Sequence, residues 1–194
     1  MRVLFVNPPV VRSEDSSAEN DFRLDGLPYG KWIRKVPGAR LVWRTLRLGG
    51  TIRYGVRAGS RWPWTMDMPH QGPPYPFFMG YAAALVAEDG HEVNIIDSVA
   101  DEDYSYKYFL KRVRDWRPEL ILVECSTPTI DIDLWIAEKL SEIAEVAVAG
   151  PHFTTDEVVA EVEQSHPFIK YILQGEYIYG AQDLVRSREP GVYP

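Results

Sequence analysis

The stretch Val146-Ala-Val-Ala-Gly-Pro-His-Phe-Thr-Thr155 joins an apolar run to a turn and to the polar start of a helix. The apolar run stops at Gly150, and Pro151 and His152 form the turn. Comparable apolar runs lead into turn residues after positions 3–6, 120–124 and 168–173. Short β-branched runs that alternate with helical segments are typical of βαβ units in a parallel sheet.

The segments between these runs have helical patterns. Residues 77–89 are apolar nearly all round, which predicts a buried helix, and apolar residues recur at helical spacing from 132 to 143. Further helices are predicted over 104–116, after 154–156 and over 178–186, and further strands over 92–97 and 145–149. We therefore predict an α/β fold with a doubly wound, five-stranded parallel sheet in the flavodoxin-like (Rossmann-like) order 2-1-3-4-5.

A long basic insertion follows the first predicted strand. Residues 26–66 contain nine Lys or Arg and no acidic residue, whereas the rest of the chain holds 12 basic and 28 acidic residues, a net charge of −16. Four of the six tryptophans also lie in this segment. Basic and aromatic residues together are typical of proteins that bind single-stranded nucleic acid. A basic arm folded over its own acidic domain, or against a further domain, explains the same charges, and so does a phosphorylated or membrane-borne substrate.

Composition excludes several classes of protein. The 194 residues are 45% hydrophobic and 25% charged, and no apolar run approaches the ~18 residues that a bilayer crossing requires. Met1 and Arg2 lead directly into the first strand, so we expect no secretory signal and a cytoplasmic protein. The single cysteine, Cys125, excludes a disulfide framework and an iron–sulfur cluster held by three cysteines of this chain, and we expect a buried thiol.

The turns that follow the parallel strands meet at one edge of such a sheet, where ligands bind. No G-x-x-x-x-G-K-[ST] motif is present, and no G-x-G-x-x-G motif follows the first strand, so a nucleotide held there by its phosphates is not expected. A receiver domain would need an acidic cluster after strand one, where this chain has Asn7-Pro8-Pro9. The hydroxyl-rich first loop of flavodoxin is also missing.

Five segments occur together in a distinctive order: RVLFVNPP (2–9), PPYPFFMGYAAALVAEDGHEVNIID (73–97), RPELILVECSTPT (117–129), VAVAGPHFT (146–154) and YILQGEY (171–177). Together they resemble the N-terminal cobalamin-binding domain of cobalamin-dependent radical SAM enzymes. The closing REPGVYP (188–194) is similar to the connector that leads into the radical SAM barrel. The resemblance implies a cobalamin-binding domain over 1–187, with an insertion at 11–71, and a linker over 188–194.

In this family the corrin lies across the carboxyl ends of the strands, and its nucleotide tail enters a slot beside them. The resemblance places Ser126 and Gly150 along that slot. It places a wider set of residues around the corrin, so that the cofactor-binding residues become Asn7, Pro8, Pro9, Ser126, Thr127, Thr129, Gly150, Pro151, His152, Gly175 and Glu176. No catalytic and no metal-ligating residue is expected in this chain.

Two departures from related patterns change the expected site. Ala149 stands where the family usually has the first of two glycines, which implies a tighter slot. The D-x-H-x-x-G motif of methionine-synthase-like domains is absent, so no histidine of the first loop ligates cobalt. This agrees with the radical SAM branch, in which cobalamin is bound base-off.

Simpler roles exist for several of these residues. His152 is a loop residue that forms hydrogen bonds or contacts the cofactor, and a direct bond to cobalt is disfavoured. Glu176 is a general base, a helix-starting residue or a partner of a corrin amide. Gly150 and Gly175 serve the cofactor or only form tight turns.

The expected function is that of a cobalamin-binding module of a radical SAM enzyme, a methyltransferase or a related radical enzyme. The expected partners are cobalamin and a C-terminal radical SAM domain, which would hold S-adenosylmethionine and a four-iron four-sulfur cluster. By itself the chain is expected to bind cobalamin without catalysis. One alternative is a cobalamin-free module that uses the basic insertion to bind nucleic acid or a protein, and another is a flavodoxin-like enzyme that binds flavin.

Overall fold

The computed structural model describes residues 1–9, 76–98 and 106–194. Within these ranges the strands are β1 (Arg2–Asn7), β2 (Glu92–Asp97), β3 (Leu120–Glu124), β4 (Glu145–Ala149), β5 (Tyr171–Leu173) and β6 (Gly191–Tyr193). The helices are α1 (Phe77–Glu88), α2 (Tyr106–Trp116), α3 (Ile130–Ser141), α4 (Asp156–Ser165) and α5 (Ile178–Ser187). The predicted insertion at 11–71 lies outside the described residues.

The strands of the described ranges form one sheet in the order β2-β1-β3-β4-β5-β6, and every neighbouring pair is parallel. The predicted α/β fold with a parallel sheet is confirmed, and the first five strands have the predicted order. The prediction of five strands is wrong, because the described sheet has six.

Helices cover both faces of the sheet. Val3 and Phe5 point to the first face, where they pack with side chains of α1 and α5. Leu4 and Val6 point to the second face, where they pack with side chains of α2, α3 and α4. Strands buried on both faces need continuous apolar runs, which is why β3 and β4 read as unbroken hydrophobic stretches.

The sixth strand corrects the prediction that residues 188–194 form a linker. Gly191 donates its N–H to the carbonyl of Lys170, and Gln174 donates to the carbonyl of Tyr193, so the tail adds to the edge of β5. Tyr193 also packs on the first-face core, and its hydroxyl donates to the Glu189 carbonyl. A three-residue strand carries too little pattern to be recognised, since pairing with its neighbour creates it.

The connection that leads to β6 has the opposite hand to its predecessors. From β3 to β6 the chain steps in one direction across the sheet, but α3 and α4 cover the second face whereas α5 covers the first. Equal steps over opposite faces have opposite hands, and right-handed connections are the rule. In its position α5 lies beside α1, where Arg186 forms a 2.7 Å ion pair with Asp89. β6 is therefore an edge addition and not a further regular βαβ unit.

Two element predictions differ in detail from the structure. The strand predicted over 168–173 begins only at Tyr171, because the N–H of Ile169 donates to the carbonyl of His166 and holds the preceding residues in a turn. Helix α1 is not buried all round, since Phe77 is 56% exposed and Tyr81 is 60% exposed. Among the described residues, no helix combines the length and the apolar character needed to cross a membrane.

Candidate ligand-binding edge

Four loops that follow parallel strands lie together at one edge of the sheet. We call this set the carboxyl edge, and it consists of residues 7–9, 126–129, 150–152 and 175–176. Nδ1 of His152 lies 3.4 Å from the Thr127 hydroxyl, which joins the loops after β4 and β3. The N–H of Gly175 donates to the carbonyl of Phe153 at 2.8 Å, which ties the loop after β5 to the segment after β4.

The predicted site residues differ in their accessibility. The exposed ones are Thr127, Pro151, Gly175 and Glu176, and His152 is half-buried. The buried ones are Asn7, Pro8, Pro9, Ser126, Thr129 and Gly150. The exposed part of the carboxyl edge therefore belongs to the loops after β3, β4 and β5, and the loop after β1 lies beneath the surface.

A buried carboxylate holds the loop after β3 in place. Asp133, in the first turns of α3, accepts a 3.1 Å hydrogen bond from the N–H of Ser126 and a 2.7 Å bond from the Thr129 hydroxyl. The Ser126 and Thr129 hydroxyls also lie 2.7 Å apart. Bonds to an ionised acceptor are the stronger kind, so this network fixes the loop before any ligand arrives.

Sequence reasoning missed Asp133, because it lies away from the apolar stripe of α3 and was therefore expected on the solvent side. Its side chain is fully buried. A signal was present, since Asp133 follows Thr129 by four residues, about one helical turn.

Gly150 is explained by its approach to the neighbouring strand. Its φ is +116°, and a Cβ at this position would lie 2.3 Å from the carbonyl oxygen of Cys125. No side chain fits there unless the backbone shifts, so the fold alone requires glycine. The close approach in this structure is to Cys125, and a ligand group beside Gly150 would lie on the other side of its backbone.

The environment of His152 favours the neutral imidazole. Burial lowers the pKa of His152, although the carboxylates of Glu161, Asp133 and Asp131 act in the opposite direction. The ring contacts Phe153 edge-on, with ring centroids 5.4 Å apart, and Phe153 is fully buried. A neutral imidazole has both a donor and an acceptor nitrogen, which suits hydrogen bonding to a polar ligand.

Three neighbouring strands end in buried polar residues that point to the first face. Asn7 pairs with Asp97 in the register of β1 and β2. Val6 pairs with Val123 in β3, which places Glu124 beside Asn7 at the next position. We call Asp97, Asn7 and Glu124 the acceptor row, and all three are buried. Sequence reasoning included only Asn7, although a polar residue at the end of three apolar strands was a visible signal.

The orientation of Asn7 follows from its neighbour. Its Nδ2 donates to Oδ1 of Asp97 at 3.0 Å, which is the assignment that an ionised carboxylate requires, since such a group only accepts. The other end of the amide, Oδ1, has no hydrogen-bond partner in the described part of the chain, although Asn7 is only 3% exposed. Buried amide oxygens are normally paired, so this atom stands out.

Two hydroxyl groups lie near the acceptor row. Ser98 follows Asp97, is fully buried, and has no partner for its Oγ within the described ranges. Tyr177 precedes α5 and is 3% exposed, and its hydroxyl faces Glu124 without forming a hydrogen bond of normal geometry there. Burial, reinforced by the Glu124 carboxylate, holds the pKa of Tyr177 well above its usual range. Its hydroxyl therefore stays protonated and can both donate and accept.

The described residues include no group of three or more His, Cys, Asp or Glu side chains arranged to hold a metal ion. Cys125 is a buried free thiol, as predicted. Protein-family models, curated proteins and solved structures were each compared with the chain, and none of them matches it.

Proposed function

We propose that this chain is a cobalamin-binding module of a radical SAM enzyme, a methyltransferase or a related radical enzyme. The observation that carries the proposal is the convergence of the four loops on one edge of a parallel sheet. These loops come from the same segments that resemble the cobalamin-binding family. Their contacts, His152 with Thr127 and Gly175 with Phe153, make one continuous surface from three of them.

The residues present fit a polar, flat macrocycle in two respects. Thr127, His152 and Glu176 offer accessible hydrogen-bonding groups along the edge, as the amide-bearing rim of a corrin requires. Behind them, Asn7 Oδ1 and Ser98 Oγ are buried atoms without partners in the described chain, where a ligand donor would be favourable. The first loop carries no histidine, in keeping with base-off cobalamin without a lower ligand from that loop.

The fit is poorer for the nucleotide tail. The slot was predicted beside Gly150, but the direction of its missing side chain is filled by the Cys125 backbone. The bulky Tyr177 is also buried near Glu124, at the end of the neighbouring strand. We therefore propose that Thr127, His152 and Glu176 contact the corrin rim, and we assign no tail contact to Gly150.

When bound, methylcobalamin would supply a methyl group for transfer to an unactivated carbon. The cofactor carries this chemistry, and the chain would bind it, orient it and shield one side of it. S-adenosylmethionine and the iron–sulfur cluster would belong to a separate radical SAM domain. In this proposal the module alone has no activity.

The proposal is tested by mixing the purified chain with hydroxocobalamin and removing free ligand by gel filtration. A retained corrin band in the visible spectrum is expected, and a colourless protein fraction would contradict the proposal. Heparin chromatography of the same sample tests the alternative function of the basic insertion. That alternative predicts retention that declines steeply with salt, together with no corrin uptake.

A further inference from the structure

The acceptor row has an excess of atoms that accept hydrogen bonds. Ionised Asp97 and Glu124 can only accept, and Asn7 uses its amide nitrogen on Asp97 and presents its oxygen. The parallel register places these three side chains at the last position of adjacent strands. A ligand group that enters this end of the sheet therefore meets acceptors and has to donate.

Two atoms show that the set is incomplete within the described chain. Oδ1 of Asn7 and Oγ of Ser98 are buried and have no hydrogen-bond partner there. Leaving such atoms unpaired is costly, and the exceptions in native proteins call for a ligand, a water or an ion. Both atoms lie at the carboxyl edge, since Ser98 is tied by its N–H to the carbonyl of Asn7 at 3.0 Å.

Building on the proposed function, we propose that the acceptor row, with Ser98 and Tyr177, is a subsite that binds a primary amide of the corrin periphery and rejects the corresponding carboxylate. An amide NH₂ supplies two donors, which matches the unpaired oxygens. Its own oxygen can accept from the Tyr177 or Ser98 hydroxyl. A carboxylate in its place would bring a third negative charge beside Asp97 and Glu124.

A neutral amide fits better than a metal ion. The row itself already contains one pairing of an amide with a carboxylate, between Asn7 and Asp97. The described residues offer no third carboxylate, histidine or thiolate that would complete a metal site at this place. Hydroxyls and amide oxygens that surround a single donor group are sufficient for an amide ligand.

The test compares cyanocobalamin with its separated monocarboxylic acids, each made by hydrolysing one peripheral amide. Affinities for the full chain are measured by equilibrium dialysis at neutral pH. At least one acid is expected to bind about tenfold or more weakly than cyanocobalamin, because it loses donors and meets like charge. Retention of cyanocobalamin with equal affinity for every acid would overturn the subsite but leave the proposed function intact. No retention of cyanocobalamin would overturn the proposed function itself.

A charge-neutral variant locates the discrimination. Glu124→Gln keeps the shape of the side chain and removes its charge, so the preference against the discriminated acid should shrink by about threefold or more. Glu163→Gln removes an equal charge from an exposed position on α4 and should leave the preference unchanged. A preference that is unchanged in Glu124→Gln, or equally reduced in both variants, would contradict the assignment. If Glu124→Gln does not fold, the wild-type comparison decides by itself.

Discussion

The Thr129 hydroxyl and the Ser126 N–H share one acceptor, Oδ2 of Asp133, at 2.7 Å and 3.1 Å. A helix residue thereby fixes the loop that precedes its own helix. This loop carries Thr127, the exposed hydroxyl that contacts His152 across the carboxyl edge. The shape of the candidate site thus depends on a side chain that no ligand would touch.

Replacing Asp133 with alanine should destabilise the fold. The change leaves two buried donors without an acceptor, which costs roughly 2–4 kcal/mol in the free energy of unfolding. Asp131→Ala is the matched control, because Asp131 is an exposed aspartate in the first turn of the same helix. Urea denaturation of both variants gives the comparison, and equal losses would show that the Asp133 network contributes nothing special.

Gly150→Ala should cost more stability than Gly90→Ala, although both glycines have positive φ. At Gly90 a Cβ meets nothing within 4 Å, whereas at Gly150 it meets the Cys125 carbonyl oxygen at 2.3 Å. Backbone strain together with overpacking predicts a loss of roughly 2–4 kcal/mol at Gly150, against about 1 kcal/mol at Gly90. Thermal or urea unfolding measures the difference. A tolerated Gly150→Ala would mean that the loops after β3 and β4 are not in contact as described.

His152→Ala should weaken cobalamin binding several-fold without changing the visible spectrum of the bound corrin. The reason is that His152 is proposed to contact the rim of the ligand and not the cobalt. His166→Ala is the control, since His166 follows α4 as a capping residue outside the carboxyl edge. A changed corrin spectrum in His152→Ala would instead indicate a cobalt ligand, and identical affinities in both variants would remove His152 from the site.

Glu145 should give the fold an acid-sensitive contact. Hydrogen bonds from Lys170 and Arg188 lower the pKa of Glu145 below its ordinary value of 4.5, and burial acts in the opposite direction. Because the folded pKa is the lower one, this stabilisation is fully present above pH 4.5 and is lost as the pH falls through the folded value. Glu145→Gln should therefore flatten the fall in stability below pH 4.5. An unchanged acid profile would mean that these contacts are lost in solution.

The central strands could be predicted to the residue because each is a continuous apolar run with a turn after it. The predicted bounds of β2, β3 and β4 agree with the structure. The edge could not be predicted in the same way. β6 forms only because its backbone pairs with β5, and β5 itself is shortened by a turn that involves His166.

The candidate site was predictable in its location but not in its interior. Parallel strands deliver their following turns to one edge, so the grouping of residues 126–129, 150–152 and 175–176 follows from the pattern. Contacts between distant segments are not visible in a pattern. The approach of Gly150 to Cys125, the burial of Asp133 and the position of Tyr177 over Glu124 all depend on such contacts.

The most direct measurement of the central claim is the number of corrins that each chain binds. The chain is titrated with hydroxocobalamin, separated from free ligand, and assayed for corrin absorbance and for protein. The account predicts saturation near one corrin per chain. Failure to saturate, or the absence of bound corrin at every ligand concentration, would contradict it.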